Sequence, residues 1–153
     1  MTKKMITKMN EYKEFQQGEM LVELAKINKG ELSFDVCVFG GSSYSGGRNE
    51  HGEPHFHVAD NIKKPDKFKL SVKIPTIDEW KANPQLIILP EESSQTNWDG
   101  LNKIKKDLMV WMGKANVRDK KHSNIFTIIN FWNTLNEDNK NVRQVSNDGE
   151  DLF

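Results

Sequence analysis

The chain has 153 residues, 22 basic and 22 acidic side chains, and a formal net charge of zero, so it is long enough for one domain with its own core. A single cysteine, Cys37, excludes an intrachain disulfide and fits a reducing compartment. No run reaches the ~18 apolar residues of a membrane span, and the polar start Met1–Asn10 lacks the apolar stretch of a secretion signal, so a soluble, cytoplasmic protein is expected.

Along the chain, Tyr12 and Phe15 in a charged context suggest a helical turn, which Gly18 keeps from running on as one long helix. Met20, Val22 and Leu24 then alternate with Leu21, Glu23 and Ala25, predicting a strand that ends at the turn Asn28-Lys29-Gly30. Leu32, Phe34, Val36 and Val38 alternate with Ser33, Asp35 and Cys37, the period of a half-buried strand, so a hairpin closed at Asn28–Gly30 is expected. Residues 40–54 carry five of the ten glycines and read as a long loop, a length that in compact domains usually serves function. A third strand, His55–Ala59, puts Phe56 and Val58 on one face and His55 and His57 on the other. The fourth turns Phe68, Leu70, Val72 and Ile74 inward and Lys67, Lys69, Ser71 and Lys73 outward, and Pro75 stops it.

Asp78–Ala82 fits a short helix, and Leu86–Leu89 a short, well-covered strand. Trp98, Leu101, Ile104, Leu108, Trp111, Met112 and Ala115 recur at helical steps behind Asn97 as a cap, with Asp99 in the first turn. Ile125, Ile128, Ile129, Trp132 and Leu135 do so behind Ser123. From Glu137 the sequence is polar and acidic without a period. The expected fold is therefore α+β: an antiparallel sheet of four to five strands followed by two C-terminal helices packed on one face. It occupies residues 1–136, with residues 137–153 as a polar acidic tail.

The zero net charge hides an asymmetry. Residues 1–60 sum to −2 (7 basic, 9 acidic), residues 61–122 to +5 (13 basic, 8 acidic) and residues 123–153 to −3 (2 basic, 5 acidic). Such a middle can meet phosphates, although lysines also serve as the solvated face of a strand or helix.

Chemistry concentrates at His51-Gly52-Glu53-Pro54-His55-Phe56-His57-Val58, which holds three of the four histidines. His55 and His57 share a strand face, and Gly52 lets the loop return His51 or Glu53 over them. His51, His55 and His57 are thus candidate ligands for a divalent transition metal such as zinc, with Glu53 or Glu50 as base on a bound water. Equally open are a metal-free ligand or proton-transfer role, and imidazoles that hydrogen-bond loop carbonyls and Glu50, Glu53 or Asp60 simply to hold the loop.

His-x-His with Asp60 three residues later touches the cupin pattern, but a second motif is missing and only His122 follows. The loop lacks the Gly-Lys-Ser/Thr of a phosphate loop and leads into a strand, though its backbone beside Arg48 suits an anion nest. Cys37 is a nucleophile only if a neighbouring strand brings His55 or His57 beside it. A nucleic-acid platform would use Tyr44 and Trp80 with Lys67, Lys69 and Lys73, whereas Trp98, Trp111 and Trp132 belong to the apolar helix stripes.

His51 and the run Pro54-His55-Phe56-His57-Val58 resemble the bacterial family of uncharacterised proteins known as domain of unknown function 4160, whose members read His-x-Pro-Pro-His-Phe-His-Val. Here Glu53 stands where the first proline would, adding a carboxylate beside the histidines. The resemblance spans about residues 31–115, its specific part being the eight-residue motif. It implies a small cytosolic bacterial protein and no established activity. Together these readings point first to a small binding or regulatory protein. It would present the glycine-rich loop and the histidine face, with Arg48, Tyr44, His55 and His57 as contacts, to a protein or small ligand. The alternatives are a metal-dependent hydrolase built on His51, His55 and His57, and a weak nucleic-acid-binding module.

Overall fold

A computed structural model describes residues 12–17, 20–28, 31–40, 53–59, 68–89, 101–138, 142–147 and 149–153. Five strands, β1 (Tyr12–Gln17), β2 (Met20–Lys26), β3 (Asp35–Gly40), β4 (His55–Ala59) and β5 (Phe68–Lys73), form one antiparallel sheet in chain order. Among the described residues three helices follow: α1 (Ile77–Ala82), α2 (Leu101–Met112) and α3 (Asn124–Leu135). The fold is α+β, an antiparallel meander with its helices after it.

Tyr12–Gln17 is a strand rather than a helical turn, because it pairs along its whole length with Met20–Ala25. Cross-strand hydrogen bonds outweigh a weak local preference of either kind. The hairpin of β2 and β3 is longer than the Asn28–Gly30 turn predicts, since β3 begins only at Asp35. Asn28 closes it: its buried amide donates to the Phe34 carbonyl at 2.7 Å and accepts from the Val36 amide at 2.7 Å.

The register sorts the sheet into two faces. Ala25, Ile27, Val36, Val38, Phe56, Val58, Leu70 and Val72 share one, in a single core cluster with Ile104, Leu108 and Trp111 of α2 and Ile125, Ile128, Ile129 and Trp132 of α3. α3 comes so close to β3 that a Cβ on Gly40 would lie 2.4 Å from the Leu135 Cβ, a distance only a glycine permits. Trp80 is 6% exposed and belongs to this core.

The opposite face is covered as well. Cys37, Phe39, His55, His57 and Ser71 are all buried, so the half-buried reading of β3 and the outward placing of Ser71 do not hold. An alternating pattern locates two faces but does not tell which of them meets solvent when the second carries Cys, His and Ser.

Leu86–Leu89 is no covered strand. Ile88 makes one bridge to Val72, flanked by hydrogen bonds from Lys73 to Ile87 and from Leu89 to Ser71, and Ile87 is 45% exposed. In α2, Ile104, Leu108, Trp111 and Met112 are buried as the stripe predicts, whereas Ala115 is exposed beyond the helix end. Asn97, Trp98 and Asp99 lie outside the described residues. Buried Asn116 and Asn124 fasten the α2–α3 connection, through an Asn116-to-Asn124 bond of 3.0 Å and an Asn124 bond to the Trp111 carbonyl of 2.6 Å.

The acidic end is a strap, not a free tail. Residues 142–147 and 149–153 have no regular structure, yet they run back along α3. Trp132 donates to the Arg143 carbonyl at 2.8 Å, Asn133 bonds both the amide and the carbonyl of Val145, and Asp151 reaches Ser123 at the start of the helix. Val145 is 6% exposed and Leu152 packs on the core. Val142 packs there too, and three apolar side chains scattered through a polar stretch have no period to announce them.

Candidate functional site

The histidine strand enters beneath α3. His55 and His57, one residue apart on the same face of β4, have ring centroids 4.9 Å apart in an edge-to-face arrangement. Both are buried, at 4% and 1% exposure, so this face is not on the surface. Phe39 from β3 meets His57 edge-on at 4.9 Å, and Trp132 from α3 lies 5.6 Å from His55.

Each imidazole is oriented by a hydrogen bond at Nδ1. That of His55 donates to the Glu53 carbonyl at 2.7 Å, a bond that fixes the ring's tautomer. Nδ1 of His57 shares a 3.2 Å hydrogen bond with the Ser71 hydroxyl. Ser71 sits opposite His57 in the β4–β5 register, and Cys37 sits opposite it on the other side. Cys37 is therefore beside His57, the juxtaposition that a nucleophilic role requires. Burial nevertheless pushes its thiol far up, with Asp35 adding to the rise against Lys26, so it stays protonated and inert.

Four residues close a circuit around His55. The Glu53 carbonyl accepts from His55; the Glu53 carboxylate accepts from the Arg143 guanidinium at 2.7 Å; the Arg143 carbonyl accepts from Trp132; and the Trp132 ring lies beside His55. Lys73 adds a second cation 3.6 Å from Glu53. Held by both cations, the Glu53 carboxylate ties the strap and β5 to the start of β4. Arg143 lies 90 residues from Glu53, and sequence reading missed it for want of any local signal. The strap, β5 and the start of α1 enclose a polar cleft of about 300 Å³ beside this circuit, lined by Glu53, Lys73, Thr76, Glu79 and Arg143 among others.

Tyr44, Arg48, Glu50 and His51 lie outside the described residues, as do Asp60 and Lys67. Among the described residues no group of three His, Cys, Asp or Glu side chains is placed to hold a metal. Of the aromatic platform for nucleic acid, Trp80 is buried in the core and Lys73 is paired with Glu53, while Tyr44 and Lys67 lie outside the described residues. No helix among the described residues is long and apolar enough to cross a membrane. No family model, curated protein or solved structure matches the chain.

Proposed function

We propose that this chain is a small binding or regulatory module whose recognition element is the glycine-rich segment 41–52, anchored at both ends. The observation that carries the reading is the anchoring of both ends of that segment. At the outgoing end, Gly40 is wedged against Leu135 and the Phe39 carbonyl accepts from Asn136 at 3.0 Å. At the returning end, Glu53 is held by His55, Arg143 and Lys73, and Pro54 is buried. The antiparallel pairing of β3 with β4 brings these ends to one side of the sheet. A segment with fixed ends loses less freedom on binding than a free one, which favours affinity. In this reading Tyr44 and Arg48 supply the contacts, and the buried His55 and His57 serve the anchoring instead of touching the partner.

The test replaces Tyr44 and Arg48 by alanine, singly and together, and compares capture of a partner or ligand from cell extract with that by the unaltered chain. A species lost with the double variant, at unchanged melting temperature, supports the reading. Identical capture by all forms sinks it.

The orientation of His55 favours a second reading, a metal site. Metal-bound histidines characteristically donate the other ring N–H to a carbonyl, as His55 does to Glu53. His51, His55 and His57 would be the ligands, and with Glu53 committed to Arg143 the base of a hydrolase would be Glu50. Calorimetric titration with zinc decides it: stoichiometric binding abolished by His51→Ala supports a metal, and absence of binding to the unaltered chain removes it. The family resemblance of the Pro-His-Phe-His run stays a proposal alongside both readings.

A further inference from the structure

The +5 charge of residues 61–122 falls entirely within residues 101–122, which hold seven basic and two acidic side chains. On α2, the helical period sets Lys103, Lys106 and Val110 along one face, and Lys114 follows two residues past the helix end. That face and residues 31–33 of the β2–β3 connection bound a groove of about 420 Å³.

Its two carboxylates are already engaged: Asp107 pairs with Lys103 at 2.7 Å, and Glu31 accepts from the Trp111 indole at 3.2 Å. Lys106 and Lys114 are exposed and have no ion-pair partner among the described residues. Between them Val110, in the last turn of α2, is 55% exposed, and partly buried Leu32 lines the same groove.

We infer that this groove docks an acidic peptide segment with an apolar anchor, a proposal that does not rest on the role given to segment 41–52. Charge complementarity names the partner's sign. The exposed valine between two lysines, with Trp111, the one aromatic residue lining the groove among the described residues, only 2% exposed and so no platform for a base, favours a peptide over nucleic acid. In an extended peptide, carboxylates at the first and fifth positions flank an apolar side chain at the third on one side of the strand, the order in which Lys106, Val110 and Lys114 line the groove.

Fluorescence anisotropy with a labelled Gly-Glu-Ser-Leu-Ser-Glu-Gly peptide tests this at low and physiological salt. The expected result is saturable, salt-weakened binding. It should fall about tenfold in the double variant Lys106→Glu/Lys114→Glu, and fall in Val110→Ser or with serine replacing the peptide leucine, without loss of the salt dependence. All substituted positions are exposed, so melting temperatures should not change. No binding, binding indifferent to both variants, or tighter binding of a polyuridine 12-mer than of the peptide overturns the inference.

Discussion

Cys37 and Gly40 lie three residues apart on β3, and their surroundings give them opposite sensitivities. Cys37 is fully buried, and desolvation of the thiolate keeps its proton on even beside His57. We expect the native protein to resist iodoacetamide at pH 8 and to be modified completely once unfolded, as mass spectrometry of the two states would show. Rapid modification of the folded chain would contradict the burial of this face. Gly40 has no room for a side chain, because an added methyl group would lie 2.4 Å from the Leu135 Cβ and 2.6 Å from its carbonyl oxygen. Gly40→Ala should push α3 off β3 and destabilise the fold by about 1–3 kcal/mol, measurable by urea unfolding. Since Gly40 also anchors segment 41–52, the variant should weaken any binding through that segment.

At the scale of elements, local chemistry suffices for some and not for others. α1 is set by its own residues. The Thr76 hydroxyl accepts from the Glu79 amide at 3.0 Å, the Glu79 carboxylate accepts from the Thr76 amide at 3.0 Å, and that backbone bond heads the causes that hold Glu79 below the usual carboxylate range. Thr76→Ala should cost about 0.5–2 kcal/mol, measurable by urea unfolding, while Glu79 stays below the usual carboxylate range because the backbone amide of residue 76 remains. Unchanged stability would mean that the hydroxyl cap contributes nothing in solution. α3, in contrast, is buried nearly all round, including Thr127, Phe131 and Thr134. Its amphipathic stripe marked one face only, and off that stripe Asn133 bonds the strap at Val145. β1 likewise owes its strand state to pairing with β2.

Across the whole molecule, the strap returns the end of the chain to its middle. Asp151 accepts from the Ser123 hydroxyl at 2.6 Å and amide at 2.8 Å, and lies 3.3 Å from Nδ1 of His122, while Lys81 reaches the Glu150 carbonyl at 2.7 Å. Burial opposes ionisation of Asp151, but the bonds from Ser123, Leu152 and His122 outweigh it and lower its pKa. A carboxylate with a depressed folded pKa stabilises the native state fully above its unfolded value, near 3.9. The contribution is lost as pH falls through the folded value. Asp151→Asn should therefore be less stable than the unaltered chain at pH 7, with the gap narrowing below about pH 4. Unfolding at pH 7 and pH 3 checks it, and a gap that is constant or widens in acid would contradict this role.

Sequence alone determined the elements whose signals are local. β4 runs over the predicted His55–Ala59, Ser123 caps α3, and the apolar rows of β3, β4 and β5 meet the helices as their alternation requires. It also singled out the histidine pair, because a two-residue period puts His55 and His57 on one face whatever surrounds them. Only the tertiary structure decided that this face is buried, that Glu53 belongs to Arg143 and Lys73, that Trp80 is core, and that the acidic end is a strap. Each of these depends on partners far apart in the chain, such as Arg143 with Glu53 and Asp151 with Ser123, and contacts at that range leave no periodicity behind. The period of a strand tells which residues travel together; what lies against them is a property of the packed chain.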